Sequence, residues 1–248
     1  MLNNYKFVDR PHGKKILKQK AYTIEFVGPP GAGKTTSCKC LSGLLESNGY
    51  TVCTWQDMKD YIRKMAFIEK CILVLKLVLC RGQSLILYMI SLANNRIYST
   101  NSIYRYIRLT LFDLALEQIK KNGKIDVVLL DQWTIQEMWS ATIFRAKSYS
   151  SISKSLSRFY FRTDVIYYFD IDVNTAAERI EMRPTKTSRF DRMAPEKRIQ
   201  ELEKYTSYLF QLFESSECVQ KYLFSGNNSP ERNAALVAEH CKMNYQFN

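Results

Sequence analysis

Residues 28–35 read Gly-Pro-Pro-Gly-Ala-Gly-Lys-Thr, which has the form G-x-x-x-x-G-K-[ST]. The apolar run Tyr22–Val27 comes directly before this segment. Residues 36–46 follow it with a helix-forming pattern that ends at Asn48-Gly49. A strand, a glycine-rich turn and a helix in this order are typical of a phosphate-binding loop, whereas a chance glycine-rich turn needs neither flanking element. The segment therefore predicts a nucleoside triphosphate site.

The residue types in the loop suit the binding of Mg·ATP. Glycines let backbone N–H groups turn inward onto the phosphates, the lysine reaches the β- and γ-phosphates, and the threonine hydroxyl ligates Mg²⁺. A helix that begins at the lysine directs the positive end of its dipole at the same anion. We assign ATP binding to the whole loop and the next residue: Gly28, Pro29, Pro30, Gly31, Ala32, Gly33, Lys34, Thr35 and Thr36.

Length and composition indicate one soluble domain with a basic arm. The chain has 248 residues, of which 46% are hydrophobic, and we predict an arm over residues 1–20 and a single domain over 21–248. The net charge of +12 favours anionic partners: nucleotide phosphates, nucleic acid or an acidic membrane surface. Seven scattered cysteines indicate neither a disulfide framework nor a zinc site. The lack of a disulfide framework and an N-terminus without an apolar segment together predict a cytoplasmic protein.

The most apolar stretch runs from Cys71 to Ala93, and polar residues interrupt it at 76 and 81–84. Its uninterrupted pieces have about ten residues, whereas a membrane span needs about 20. We therefore predict a pair of buried helices joined at Arg81-Gly82 rather than a span. Attachment of this stretch to a membrane surface or a hydrophobic partner is the alternative.

Strands alternate with helices along the chain. The apolar runs Ile125–Leu130 and Asp164–Phe169 do not alternate with polar residues, so they belong inside a parallel sheet covered on both faces. Further strands are predicted at about 50–55 and 219–224, and helices at about 58–80, 85–94, 102–121, 195–215 and 230–241. Thr175 and Glu178 have the spacing of a capping box. The pattern predicts a three-layer α/β/α fold with a parallel sheet of about five strands.

Two carboxylates are candidates for the chemistry. Asp131 closes a buried strand, and phosphate-loop proteins hold Mg²⁺ with the loop hydroxyl and such an Asp, so we predict Thr35 and Asp131 as the metal ligands. Asp57 follows the second strand and is our candidate general base for an acceptor hydroxyl, with Asp60 as the fallback. The alternative for Asp57 is that it only caps the next helix.

Five cations lie close together after the fourth strand: Arg179, Arg183, Lys186, Arg189 and Arg192. A solvated basic loop would explain them. The more specific interpretation is a basic lid over residues 183–194 that closes over the nucleotide. In this interpretation Arg183 and Arg189 act with Lys34 to stabilise the transferred phosphoryl group.

The order of elements from residue 22 to 243 resembles the thymidylate kinase-like branch of nucleotide kinases. The resemblance rests on the loop 28–35, the strand-end Asp131, the segment 171–183 and the loop 225–229. It implies a helical acceptor region, and it implies that Arg179 and Asn227 lie near the nucleotide. It also implies that Gln132, Trp133, Gln136 and Arg145 line the acceptor side.

Two departures from that family leave the identity of the phosphate acceptor open. Gln132-Trp133 stands where the family has an arginine after the strand-end Asp, and Trp55-Gln56-Asp57-Met58 replaces a Glu-Pro-Gly-Gly type of sequence. Kinase-like proteins associated with bacterial surface polysaccharides share the same resemblance, so the acceptor options are a nucleotide, a nucleoside, a sugar or a lipid-linked sugar.

The function predicted from these patterns is an ATP- and Mg²⁺-dependent kinase acting on a small-molecule acceptor. An ATP-hydrolysing switch or assembly factor at a membrane or protein partner, and a polynucleotide 5′-hydroxyl kinase, are the alternatives. No aromatic-lined groove for a single strand is recognisable, so we do not expect nucleic acid as a partner. The lack of an Asn-Lys-x-Asp motif argues against a GTPase. A homodimer is also considered.

Overall fold

The computed structural model describes residues 21–121, 125–143, 154–157, 159, 161, 163–184, 188–218 and 220–245. The predicted basic arm over residues 1–20 lies outside the described residues, as do Arg145 and Lys186.

Five parallel strands form one sheet. They are β1 (Tyr22–Val27), β2 (Val52–Thr54), β3 (Val127–Leu130), β4 (Val165–Asp170) and β5 (Gln220–Ser225). The strand order is β2-β3-β1-β4-β5, and every neighbouring pair is parallel. All residues of β1 and β3 are buried, although successive side chains point to opposite faces, so both faces of the sheet are covered. The predicted α/β fold with a five-stranded parallel sheet is confirmed.

Eight helices are described in full. They are α1 (Lys34–Ser47), α2 (Trp55–Lys64), α3 (Phe67–Asn94), α4 (Thr100–Lys121), α5 (Thr134–Thr142), α6 (Val173–Glu181), α7 (Pro195–Glu214) and α8 (Pro230–Tyr245). Helix α1 packs on α8, and α4 packs between α3 and α5. Helix α5 also contacts α7, so one side of the molecule carries a run of packed helices leading away from the sheet.

The apolar stretch 71–93 is part of a single helix, so the predicted break at Arg81-Gly82 is wrong. Gly82 stays inside α3, because a glycine costs a helix only about 1 kcal/mol and packing against α4 compensates for that cost. Arg81 donates to Asp113 and Glu117 of α4 at 3.0 and 3.1 Å. The prediction that this stretch is buried is wrong as well, since much of its apolar surface is exposed.

Helix α3 is long and apolar enough to cross a membrane, judged by length and composition alone. Five of its residues are nevertheless buried against the rest of the protein: Leu73, Leu77, Tyr88, Ser91 and Leu92. Helix α3 therefore has one packed face and one exposed apolar face.

The N-terminus of α6 differs from the predicted capping box of Thr175 and Glu178. Asp172 is the N-cap, and its Oδ1 accepts hydrogen bonds from the backbone N–H groups of Asn174 and Thr175 at 2.9 and 3.0 Å. An aspartate placed before the first turn is as good an N-cap as threonine, so the helix begins earlier than the Thr-x-x-Glu pattern indicates.

A buried glutamate lies in the central strand. Glu25 on β1 is 1% exposed, and its Oε1 accepts a hydrogen bond from the backbone N–H of Ile135 at 3.1 Å. Burial raises the pKa of the Glu25 carboxyl from 4.5 to about 8, against the opposing effect of that hydrogen bond. The folded protein therefore keeps a proton here that the unfolded chain releases.

Because its folded-state pKa is the higher one, Glu25 makes the free energy of unfolding fall as pH rises from about 4.5 to 8. We expect Glu25→Gln to remove about 2 to 4 kcal/mol of this pH dependence, since one pKa unit corresponds to about 1.4 kcal/mol. Urea unfolding of both proteins at about pH 4 and about pH 8.5, on either side of this window, measures the difference. Equal pH slopes for the two proteins would contradict the protonated state of Glu25.

Candidate active site

The phosphate loop takes a shape that only glycine allows at two positions. Gly31 and Gly33 have φ angles of 88° and 83°, which lie in the left-handed region. A Cβ atom on Gly31 would also collide with the backbone of Ala176 at α6. The loop therefore lies closely against α6, and Gly33 is the N-cap from which α1 begins.

Lys34 is enclosed by its own loop. Its Nζ donates to the carbonyl oxygens of Gly28 and Pro29 at 2.6 and 2.9 Å. Burial lowers the pKa of Lys34 to about 7; Asp131 opposes this shift and Arg183 adds to it. A triphosphate placed in the loop would bring negative charge to Nζ and favour its protonated form.

The two predicted magnesium ligands come together. Thr35 stands at the start of α1 and Asp131 directly after β3, and the Thr35 Oγ1 donates to Asp131 Oδ2 at 2.6 Å. Asp131 is 8% exposed. A hydroxyl and a carboxylate suit Mg²⁺, which prefers oxygen ligands and usually keeps phosphate and water oxygens as well. Within the described residues, no group of three or more His, Cys, Asp or Glu side chains could hold a metal ion.

One cleft of about 1110 Å³ extends from the phosphate loop. The loop end is lined by residues 30–37. A second wall consists of Arg179 and residues 227–230, and Arg179 Nη1 donates to the carbonyl oxygen of Gly226 at 2.7 Å. Asn227 and Arg179 thus lie together beside the loop, where the sequence predicts the nucleotide.

The cleft is also lined by α4, α5 and the segment after residue 187, which contribute an arginine cluster consisting of Arg105, Arg108 and Arg189. Glu137 Oε2 accepts from Arg105 at 2.9 Å and from Arg108 at 2.8 Å. Arg189 Nη2 donates to the carbonyl oxygen and hydroxyl of Ser140 at 3.0 and 2.8 Å. Burial, followed by repulsion from Arg105, lowers the pKa of Arg189, while Glu137 acts in the opposite direction. Three guanidinium groups therefore crowd around one carboxylate.

The predicted lid segment, residues 183–194, has an ion pair within itself and packs against α5. Arg183 Nη1 donates to Asp191 Oδ1 at 3.0 Å. The Phe190 ring stacks on Trp139 of α5, with ring centroids 5.9 Å apart. Burial tends to raise the pKa of Asp191, but hydrogen bonds from Ser188 and the ion pair with Arg183 outweigh it and hold this pKa below its usual range. Arg183 and Arg189 line the cleft, whereas Arg192 is exposed and is not part of its lining.

Asp57, the predicted base, forms a capping box with Thr54 at the start of α2. Its Oδ2 accepts from the Thr54 backbone N–H at 2.8 Å and from the Thr54 hydroxyl at 2.6 Å. Asp57 does not belong to the described lining of the cleft, and the fallback Asp60 forms an exposed ion pair with Arg63. The geometry thus matches the capping alternative, and the base role stays a prediction without a contact to support it.

The predicted acceptor-side residues divide between the cleft and the core. Gln132 and Gln136 line the cleft. The Gln136 side-chain oxygen is buried and has no hydrogen-bond partner among the described residues. Trp133 is 0% exposed and packs against Trp55 and Phe161. Trp133 is therefore a core residue and does not line the cleft, so the acceptor-side position implied by the resemblance is wrong for Trp133.

Sequence reasoning missed four residues that line the cleft: Arg105, Arg108, Glu137 and Ser140. Arg105 and Arg108 are three residues apart on α4, and Glu137 and Ser140 have the same spacing on α5. Each pair therefore shares a helix face, which is the signal that was available. The apolar periodicity of α4 obscured it, because that pattern by itself only indicates a packed helix.

No protein-family model matches the chain, and no curated protein does either. Among solved structures, the chain is similar to a deoxyadenosine kinase from M. mycoides with the products dCMP and a flexible dCDP bound. The similarity covers 89% of this chain and 99% of that chain, with 12% sequence identity and a TM-score of 0.50. At this identity the likeness is one of fold alone, and the class it supports is an α/β fold with a five-stranded parallel sheet.

Proposed function

We propose that this protein is a Mg·ATP-dependent kinase whose acceptor is itself a phosphate monoester, of the nucleoside monophosphate type. The observation that carries the proposal is a single cleft lined both by a phosphate loop and by the arginine cluster. A donor bound at the loop and an acceptor bound at the arginine cluster would share this cleft with Arg183.

The loop end provides what a triphosphate needs. Gly31 and Gly33 shape the loop, Lys34 lies inside it, and the Thr35–Asp131 pair offers two oxygens for Mg²⁺. Bound Mg²⁺ would neutralise charge on the β- and γ-phosphates. Lys34 would bind the same phosphates, and Arg183 would exchange Asp191 for the phosphoryl group as it is transferred.

The arginine cluster favours an anionic acceptor. Three guanidinium groups line this part of the cleft, and two of them, Arg105 and Arg108, are bound to Glu137, so a negatively charged acceptor would be attracted here. Guanidinium groups match the geometry of phosphate oxygens and bind them with paired hydrogen bonds. A neutral nucleoside or sugar would leave that charge uncompensated in a partly buried site.

The available carboxylates also favour a phosphate over a hydroxyl as the nucleophile. A hydroxyl acceptor needs a base within hydrogen-bond reach. In the described part of the lining the only carboxylate is Glu137, and its Oε2 is already bound to two arginines. A phosphate monoester has a second pKa of about 6 and offers a charged oxygen at neutral pH without any base.

The transfer balances without a further group. An oxygen of the acceptor phosphate forms a bond to the γ-phosphorus of ATP, the bond from that phosphorus to the β–γ bridging oxygen breaks, and ADP leaves with the electron pair. The M. mycoides kinase holds the nucleoside monophosphate dCMP as a product, whereas the acceptor proposed here is such a monophosphate.

The first experiment measures ADP release from Mg·ATP with nucleoside monophosphates, nucleosides, sugar phosphates, sugars and lipid-linked sugars. We expect phosphorylated acceptors to stimulate turnover and their unphosphorylated counterparts not to do so. Stimulation by a nucleoside or sugar alone would contradict the acceptor class. Acceptor-independent hydrolysis would instead support an ATP-hydrolysing switch.

Arg189→Ala is expected to raise the acceptor KM about 10- to 100-fold and to leave the ATP KM unchanged, because hydrogen bonds to a charged group contribute about 1.5 to 3 kcal/mol. The matched control is Arg192→Ala, which changes an exposed arginine of the same segment outside the cleft lining. Steady-state kinetics with each substrate varied in turn separate the two KM values. Similar effects of both substitutions would show that the charge of the segment matters rather than the position of Arg189.

A further inference from the structure

The exposed side of α3 carries an unbroken seven-residue repeat. Positions separated alternately by four and three residues are Ile68, Ile72, Leu75, Leu79, Gly82, Ile86, Met89 and Ala93. Apart from Gly82, which is half-buried, all of them are exposed, and Leu79 is the most exposed at 73%. We call these eight residues the seam. A repeat of this kind over three or more heptads is the pattern of helices that pair along their length.

The opposite side of α3 is already occupied. Leu73, Leu77 and Tyr88 are buried against the body of the protein, and Arg81 is bound to Asp113 and Glu117 of α4. A 28-residue helix is about 42 Å long, so the seam is a long apolar strip with no described element covering it. Soluble monomers rarely expose continuous apolar surface of this extent.

We propose that the seam is the interface with a second copy of this chain, with the two α3 helices antiparallel. The order of side-chain sizes along the seam favours the antiparallel arrangement. In an antiparallel pair centred between residues 79 and 82, Leu79 faces Gly82 of the second copy and Ile68 faces Ala93. Large residues then meet small ones at the centre and at both ends, while Leu75 faces Ile86 and Ile72 faces Met89 in between.

Two further features agree with antiparallel pairing. A Cβ atom on Gly82 would meet nothing within 4 Å inside its own chain, so the space over Gly82 is open to a partner side chain. Lys76, which flanks the seam, faces Gln83 of the second copy in this arrangement rather than another Lys76. Parallel pairing would place Gly82 against Gly82 and leave a gap at the middle of the seam.

A membrane surface fits the same face less well. Helices that lie on membranes do not need a 3.5-residue repeat or a small residue at the midpoint, and they carry many cations beside the apolar face. Lys76 is the only cation on the described exposed arc between Ile72 and Ala93, since Arg81 is bound to α4. A self-complementary surface also satisfies the requirement of a two-fold dimer, in which each copy uses the same patch.

The first test determines the mass of the full-length protein by light scattering after size-exclusion chromatography. We expect twice the 29.0 kDa of one chain for the natural protein and for Leu87→Glu, and a single-chain mass for Leu79→Glu. Leu79 and Leu87 are both exposed leucines of α3, but only Leu79 lies on the seam. Circular dichroism and the unfolding temperature report whether each variant is folded.

Exchanging the central residues tests the register. Gly82→Leu alone should give a single-chain mass, because two leucines then meet at the centre, and Leu79→Ala/Gly82→Leu should restore the dimer, because a large residue again faces a small one. A monomeric natural protein, or a Leu79→Glu protein that remains dimeric, would overturn the proposal. So would a monomer that sediments with phosphatidylglycerol vesicles and loses this binding on Leu79→Glu, because a lipid surface would then be the occupant.

Discussion

Replacing Lys34 with alanine should lower the rate of phosphoryl transfer by about 10³-fold or more, in line with the loss of a donor that binds charge developing in a transition state. The Lys34 ammonium is held inside the loop by the Gly28 and Pro29 carbonyl oxygens, so it is already placed where the β- and γ-phosphates would lie. Its pKa of about 7 means that part of its binding contribution depends on the negative charge of the nucleotide.

The measurement is ADP release at saturating ATP and acceptor, with Lys39→Ala as the matched control. Lys39 is an exposed lysine on the same helix, and it lies outside the lining of the cleft. We expect its replacement to leave turnover within about two-fold of the natural protein, since surface substitutions have small effects. Transfer at the natural rate by the Lys34→Ala protein would remove the basis for the kinase proposal.

Replacing Asp131 with asparagine should lower turnover by about 10²- to 10³-fold and raise the Mg²⁺ concentration needed for half-maximal activity. The amide keeps the shape of the side chain and can still accept a hydrogen bond from Thr35. It removes the negative charge that would hold the ion. Because the fold loses only a charge beside Thr35, we expect the variant to unfold at nearly the temperature of the natural protein.

Asp126→Asn is the matched control for this substitution. Asp126 stands just before β3, at the opposite end of the strand from Asp131, and accepts a hydrogen bond from the Thr51 backbone N–H at 2.8 Å. Titration of activity with Mg²⁺ in the two variants distinguishes a metal role from a general effect on the strand. An Asp131→Asn protein with the natural Mg²⁺ dependence would mean that the ion is held elsewhere.

The sheet and the loop end of the cleft were predictable from sequence because their signals are local. The run before Gly28 and the runs ending at Asp131 and Asp170 are short and mostly apolar, which is typical of central parallel strands. The spacing of the loop residues fixes their chemistry. The pairing of Thr35 with Asp131 followed from the rule that parallel strands end at one edge of the sheet.

The rest depended on contacts between distant segments. The four-residue polar interruption at 81–84 indicates a break only until Arg81 finds its carboxylates on α4, and no local pattern reveals those partners. Asp57 has the position of a base and the geometry of a cap, and only the hydrogen bonds to Thr54 distinguish the two roles. The arginine cluster brings Arg105 and Arg108 of α4 together with Arg189, which is far from them in the chain.

The strand order places two sets of residues on different supports. Strands β3, β1 and β4 are adjacent, and they lead directly into Asp131, the phosphate loop and the segment of Arg179 and Arg183. The arginine cluster instead depends mainly on α4. Under the proposed function, substitutions in the cluster would change the preferred acceptor and leave the phosphate loop intact. Acceptor preference would then be open to engineering without any change to the sheet.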